Sequence, residues 1–195
     1  MKTKVLSIRN QIVLLACFFA LSSCDKVTTT IDVGDLTVKL DDITVGDDGG
    51  GAKSAGIVRL AEGALNPFYA EQTLSMDMLA GLSSEAKDYQ SRITKVKVGP
   101  ATSVTITSTD GSATVVEDFE IKAAGVKTLS VPEYRFGEPY TDNIEEFATQ
   151  LLMKLFASSN GVPITVSGKT DVVSGKKLQI EITLSDVSLV AKVLK

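Results

Sequence analysis

Apolar and polar residues alternate with a period of two along most of the chain that follows Val27. The alternation is clearest in Leu36–Leu40, Thr73–Leu79, Val115–Ile121 and Leu178–Leu184, and turn residues separate such runs about every 8–12 residues. Successive side chains of a strand point to opposite faces, so this pattern is typical of half-buried strands. We predict a mainly β fold of roughly eight to ten strands, an antiparallel β-sandwich of the immunoglobulin-like or a related type.

Two stretches depart from the period of two. Over residues 143–158 the apolar side chains follow the spacing of one face of a helix, which predicts an amphipathic helix. Asp142 and Glu145 form a pair resembling a capping box at its start, and Gly161 follows its end. The apolar stripe favours packing on the sheet core, with a membrane or partner face as the alternative. A second, short helix is predicted over 84–92.

Glycine-containing turns divide the second half of the chain. Asp110-Gly111 lies between two alternating runs and predicts a β-hairpin, because a two-residue turn of this kind needs positive φ at both positions. Gly168 and Ser174–Lys176 predict two more turns. Residues 178–184 and 187–193 are then expected to form two separate final strands.

The first 23 residues have a different organisation. Three basic residues and no acidic one accompany a ten-residue apolar stretch at Ile12–Leu21. Ten helical residues rise about 15 Å, half the thickness of a bilayer core, so the stretch is too short to span one. We predict a signal peptide over 1–23, a tether and the start of the first strand over 24–34, and a single β-rich domain over 35–195.

The end of this signal carries the most specific motif of the chain. Leu21-Ser22-Ser23-Cys24 resembles the lipobox of bacterial lipoproteins, and the whole chain resembles the uncharacterised β-rich lipoproteins of Bacteroidetes. The resemblance implies cleavage after Ser23, a diacylglyceryl group on the Cys24 thiol and acylation of the new amine. It also implies a location in the cell envelope, anchored by lipid in the outer membrane. The alternative is an ordinary secreted protein with a free thiol at Cys24.

The leaflet that holds the anchor stays open at this point. Asp25 resembles an inner-membrane retention signal of enterobacteria, whereas acidic residues near this cysteine accompany surface export in lineages that resemble Bacteroidetes. The two rules conflict for this chain. The surface and the periplasmic face are therefore both retained.

Charge narrows the range of partners. All 24 acidic residues follow Ser23, and three of the 20 basic residues precede it, so the mature chain has a formal net charge of 17 − 24 = −7. Phosphate neutralisation supplies most of the affinity for nucleic acid, so we expect no nucleic-acid partner. For the same reason, and because the sequence shows no Lys/Arg cluster, we expect little electrostatic affinity for anionic lipid. Cys17 leaves with the signal, so the domain has no cysteine pair for a disulfide.

The chain lacks the residues on which most catalytic mechanisms depend. There is no histidine, and acylation would consume the one mature cysteine. We expect no catalytic residue, no metal ligand and no cofactor. Two alternatives remain: paired carboxylates acting as in glycan hydrolases, and calcium bound at Asp41-Asp42 with Asp47-Asp48-Gly49. The carboxylate candidates are Asp41, Asp42, Asp47, Asp48, Glu117, Asp118, Glu145 and Glu146.

An aromatic segment provides a candidate binding surface. Tyr134, Phe136 and Tyr140 lie close together around an extended run in which Pro132 predicts an edge strand. These rings either form a small platform or pack beneath the long helix. We expect a non-catalytic binding or assembly module, with another envelope protein or a surface ligand as its partner. The alternatives are a carrier with an apolar cavity beneath the helix and the carboxylate-dependent glycan hydrolase.

Overall fold

A computed structural model describes residues 27–46 and 64–193 of the chain. The signal segment, Cys24 and most of the acidic glycine-rich loop lie outside the described residues. The described residues contain eight strands and two α-helices: β1 (Thr28–Thr44), β2 (Asn66–Leu74), α1 (Ser84–Asp88), β3 (Ile93–Lys97), β4 (Ser103–Ser108), β5 (Val115–Ala123), β6 (Leu129–Arg135), α2 (Ile144–Ala157), β7 (Val162–Thr170) and β8 (Lys177–Lys192). Single 3-10 turns lie at Met76–Met78 and Gln90–Arg92.

The strands form two antiparallel sheets. In the first sheet β8 is the central strand, with β1 on one side and both β3 and β4 on the other. The second sheet has the order β2-β7-β5-β6. The prediction of an antiparallel sandwich is confirmed. Pro132 lies in β6 at the edge of the second sheet, as expected for a residue without a backbone N–H.

The core lies between the inner faces of the sheets and beneath α2. Along β8 the side chains of Leu178, Ile180, Ile182 and Leu184 are buried, while the intervening residues are more exposed. Burying an aliphatic side chain of this size contributes about 1.5–3 kcal/mol, which makes this alternation the main reason for the fold. The largest fully buried side chains are Phe68, Phe119 and Phe147.

The long helix α2 buries the apolar face that the sequence predicts, but its N-terminus is not capped as predicted. Its apolar residues, from Ile144 to Phe156, are buried against β3 and the 3-10 turn that precedes it. The predicted capping pair is wrong, because the N-cap is Asn143 at φ 56° and no side chain caps the helix. The predicted short helix is present but ends at Asp88 instead of 92, and the Ser83 hydroxyl at its start accepts a hydrogen bond from the Ala86 N–H at 3.2 Å.

Three aspartates adopt positive φ inside strands or next to their bulges. Asp42 in β1 has φ 63°, Asp118 in β5 has φ 51° and Asp186 in β8 has φ 46°. Aspartate tolerates this conformation better than most residues. At Asp42 and Asp118 the pairing register shifts, and after Asp186 the buried positions change parity from Leu184 to Val187. The predicted pair of final strands is therefore wrong, because the bulge at Asp186 continues them as one strand.

Three further predictions fail for identifiable reasons. Asp110-Gly111 does not form a hairpin, because β4 belongs to the first sheet and β5 to the second. Gly168 is a strand residue of β7 rather than a turn, and the ring of Phe68 occupies the space that a Cβ would need. The strand predicted over 73–79 ends at Leu74 and is followed by a 3-10 turn.

The first sheet gives the molecule two distinct ends. The start of β1, the start of β3 and the end of β8 meet at what we term the proximal end, residues 27–30, 92–95 and 190–193. The distal end comprises residues 44–46, 108–114 and 171–177. At about 3.3 Å per residue, the 16 residues of β8 place the two ends at most about 50 Å apart, because twist and the bulge shorten the strand.

We predict that the effect of a substitution at residue 186 depends on how well the new residue tolerates positive φ. Asp186→Val should lower the free energy of unfolding by about 1–3 kcal/mol, because a β-branched residue is strained at positive φ. Asp186→Gly should change it by less than about 1 kcal/mol, since glycine adopts this φ freely. Denaturant unfolding of both variants tests this. Equal losses for the two variants would contradict the bulge as the cause.

Candidate functional site

At the distal end, side-chain hydrogen bonds join the connection between β4 and β5 to the connection between β7 and β8. The connection between β4 and β5 crosses from one sheet to the other over residues 109–114. The Asp171 carboxylate, just after β7, accepts hydrogen bonds from the Thr114 hydroxyl at 2.6 Å, the Thr114 N–H at 2.8 Å and the Val115 N–H at 3.1 Å. Partial burial raises the pKa of Asp171, but these hydrogen bonds outweigh it and hold the pKa below its usual value of 3.8.

A second aspartate joins the same connection to the turn between β7 and β8. The Asp110 carboxylate accepts hydrogen bonds from the Ser112 hydroxyl at 2.7 Å and N–H at 3.1 Å, and from the Val173 N–H at 3.1 Å. These bonds, the one from the Ser112 hydroxyl above all, lower the pKa of Asp110. The two connections therefore form one preorganised polar surface.

A shallow depression of about 490 Å³ adjoins this surface on the outer face of the first sheet. It is lined by residues of β1, β4 and β8, among them Asp41, Asp42, Lys177 and Gln179. Lys177 forms an ion pair with Asp42, and the Gln179 amide donates to the Asp41 carboxylate. The depression offers hydrogen-bonding groups and paired charges, which suit a polar partner.

The other carboxylate candidates lie on separate elements. Glu117 and Asp118 are in β5, where Asp118 pairs with Lys169 at 2.8 Å. Glu145 and Glu146 are in the first turn of α2, where Glu146 pairs with Lys127. The structure thus does not bring these candidates together with Asp41 and Asp42. The backbone conformation gives Asp42 and Asp118 a structural role as bulge residues.

The calcium alternative falls partly outside the described residues, because Asp47, Asp48 and Gly49 are among those not described. Within residues 27–46 and 64–193, no three His, Cys, Asp or Glu side chains are grouped closely enough to hold a metal ion. The calcium site stays a prediction for the loop as a whole.

The aromatic candidates are divided between core and surface. Tyr134 is 3% exposed, and its hydroxyl accepts a hydrogen bond from the Ile106 N–H at 2.8 Å. This bond joins β6 of the second sheet to the backbone of β4 in the first. Phe136 packs edge-on against Tyr134, with ring centroids 6.2 Å apart, and is half-buried, as is Tyr140. Phe136 and Tyr140 are thus the candidates with accessible surface.

Tyr140 extends the same junction through its backbone. Its N–H and carbonyl each pair with Val104 of β4 at 2.9 Å. Burial raises the pKa of the Tyr140 hydroxyl, with the nearby Asp142 acting in the same direction. The sequence does not indicate this role of Tyr134 and Tyr140, because their partners in β4 are distant in the chain: Ile106 precedes Tyr134 by 28 positions.

Cys24, the lipidation candidate, lies outside the described residues. Neither described helix has the length and apolar composition that crossing a bilayer requires. Comparisons of the chain with protein-family models, with curated proteins and with solved structures gave no match. Its function must therefore be inferred from its own residues and their geometry.

We predict that the Tyr134 hydroxyl stabilises the junction between the sheets. Tyr134→Phe should lower the free energy of unfolding by about 1–3 kcal/mol, because the buried Ile106 N–H loses its acceptor. Tyr140→Phe is the matched control, since the Tyr140 hydroxyl makes no hydrogen bond with the described residues, and should cost less than about 0.5 kcal/mol. Chemical denaturation of both variants measures the difference. Equal effects would show that the hydrogen bond is not what matters.

Acid should loosen the distal connections through Asp171. Its folded pKa lies below the unfolded one, so its stabilisation is fully present above about pH 5 and is lost as the pH falls through the folded pKa. Asp171→Asn should lower the free energy of unfolding by about 1 kcal/mol at pH 7 and flatten its decline below pH 5. Unfolding measured between about pH 3 and 7 checks this. An unchanged acid slope would contradict it. Asp88→Asn, at an exposed helix position, is the control.

Proposed function

We propose that the chain is a bacterial envelope lipoprotein, anchored through acyl chains on Cys24, whose domain is a non-catalytic binding or assembly module. The observation that carries this proposal is the position of Cys24 relative to the fold. Cys24 ends a lipobox and precedes the first residue of β1, Thr28, by four positions. Acyl chains on Cys24 would therefore be attached almost directly to the proximal end of the domain.

The same geometry supports anchoring at the proximal end and binding of a partner at the distal end. A lipid at Cys24 would hold the proximal end at the membrane and present the distal end up to about 50 Å away, given the length of β8. Binding residues of scaffolded domains commonly lie on such loops. The distal surface is fixed by Asp110 and Asp171, so a partner would meet preorganised groups and lose less conformational entropy on binding.

The proposed partner is another envelope protein or a surface ligand of polar character. The depression lined by Asp41, Lys177 and Gln179 matches such a partner better than an apolar one. Nucleic acid is not proposed, because the mature domain is acidic. We place the anchor in the outer membrane on the strength of the resemblance to lipoproteins of Bacteroidetes.

A groove beside α2 supports a second candidate, a carrier of apolar ligands. The groove has a volume of about 950 Å³ and lies between the C-terminal end of α2 and residues 75–93, next to the proximal end. Met76, Ile93 and Phe156 contribute apolar surface, and polar side chains such as Asp77 and Lys87 line the rest of the groove. Mass spectrometry of solvent extracts from the purified protein tests this candidate: a reproducible bound lipid supports the carrier, and its absence removes it.

Anchoring has a direct prediction in the mass of the native protein. Protein extracted from membranes should have the mass of a chain beginning at Cys24 plus acyl chains, and it should partition with the membrane. Cys24→Ala should abolish both properties, because the thiol is the attachment point. Cys17→Ala is the matched control and should leave both unchanged, since Cys17 leaves with the signal. An unmodified native chain, with Cys24→Ala identical to it, would refute the anchor.

A further inference from the structure

The cations of the domain are unevenly paired. Seven of them form ion pairs with carboxylates: Lys39, Lys87, Lys122, Lys127, Arg135, Lys169 and Lys177. Those without an ion-pair partner among the described residues are Arg92, Lys95, Lys97, Lys154, Lys176 and Lys192. Four of these six lie in or next to the short strand β3 and the end of β8.

The pairing register places these four residues together. Lys95 lies opposite Val190 and Lys97 opposite Ser188, so both lysines share the outer face of the first sheet with Lys192. All three lysines are exposed. Arg92 stands beside the end of β8, where its guanidinium lies 4.4 Å from the centre of the Tyr89 ring and donates to the Val193 carbonyl at 3.5 Å. We term these four residues the basic strip.

None of the described acidic residues forms an ion pair with the basic strip. Asp186 of β8, whose carboxylate lies against Gly99, and Asp32 of β1, which pairs with Ser188, are the acidic residues of this sheet near Lys97. Glu85 and Asp88 belong to α1, where the Asp88 carbonyl accepts a hydrogen bond from the Arg92 guanidinium at 3.2 Å. A domain with a net negative charge therefore has a local positive surface. The sequence did not reveal it, because Lys192 is about 100 positions from the other three in the chain.

The basic strip lies where the proposed anchor enters the domain. The Val27 carbonyl accepts a hydrogen bond from the Val193 N–H at 3.0 Å, next to Lys192. Three peptide steps separate Val27 from Cys24, and they span at most about 11 Å whatever their conformation. An acylated Cys24 thus holds Val27 within about 11 Å of the anchor, which is about one Debye length, and Lys192 lies next to Val27 in the sheet.

We propose that the basic strip binds the anionic phospholipid headgroups of the leaflet that holds the anchor, so that the proximal part of this sheet face contacts the membrane while the distal end stays away from it. This inference rests on the proposed lipidation of Cys24 and adds an orientation to it. It also revises the expectation of little electrostatic affinity for anionic lipid, which considered only net charge and clusters in sequence. Lysines on an edge strand also prevent edge-to-edge pairing, and the test must separate this role from lipid binding.

The experiment uses the acylated full-length mature chain, inserted into preformed vesicles so that the domain lies outside. One set of vesicles is phosphatidylcholine, and the other contains roughly 30% phosphatidylglycerol. Lysines are modified with a membrane-impermeant amine reagent, and each site is quantified by peptide mass spectrometry. On anionic vesicles we expect the modification rates of Lys95, Lys97 and Lys192 to fall about threefold or more, and to recover in about 0.5 M salt. Lys122 and Lys169 in the second sheet should be unaffected.

Charge variants test whether the strip acts as a unit. Lys95→Gln with Lys97→Gln should abolish the protection of Lys192 on anionic vesicles. Lys154→Gln with Lys176→Gln is the matched control, because it removes two unpaired cations outside the strip, and should leave Lys192 protected. Equal modification rates on both kinds of vesicle, for a chain whose intact mass shows the acyl groups, would overturn the lipid contact and leave the anchor standing. A chain without acyl mass would overturn both.

Discussion

The first sheet depends on one irregularity in its central strand, the bulge at Ser185–Asp186. On the C-terminal side of the bulge β8 pairs with β3, and on its N-terminal side β8 pairs with β4. The connection between these two strands crosses at the bulge, where the Gly99 N–H donates to the Ser185 carbonyl at 2.6 Å and the Thr102 hydroxyl accepts from the Ser185 N–H at 3.1 Å. Asp35 of β1 accepts from the Asp186 N–H at 3.0 Å on the other side. One strand thereby serves three neighbours and keeps apolar side chains inward along its whole length.

This arrangement explains what the sequence could predict and what it could not. The buried faces of β8 and α2 were predictable, because their periodicity follows from the burial of apolar side chains alone. The continuity of β8 was not, because aspartate in a strand suggests a turn unless the crossing connection that supports it is known. Likewise Asp110-Gly111 is typical of a hairpin, but the chain crosses to the other sheet, where the Val173 N–H donates to Asp110 and the Thr114 N–H donates to Asp171. Such contacts are long-range, and local pattern does not specify them.

The candidate sites follow the same division. Asp42 and Asp118, which the sequence offered as candidates for catalysis or metal binding, adopt the positive φ that their β-bulges require. Tyr134, offered as a binding residue, is buried in the core. Two features that support a function are formed only when the chain folds. They are the distal connections joined by Asp110 and Asp171, and the basic strip at the proximal end. Each unites segments far apart in the chain. Together with the motif at Leu21–Cys24 that resembles a lipobox, they support the proposed account of a module held at the membrane by one end and open to a partner at the other.

Distance from the membrane tests this account most directly. A single fluorophore is attached at Ser91→Cys near the proximal end or at Gly111→Cys at the distal end, where a side chain meets open space. Each labelled, acylated chain is inserted into vesicles that carry an acceptor dye in the headgroup region. The account predicts strong energy transfer from position 91 and much weaker transfer from position 111, given ends up to about 50 Å apart. Equal transfer from both positions, or stronger transfer from position 111, would contradict it.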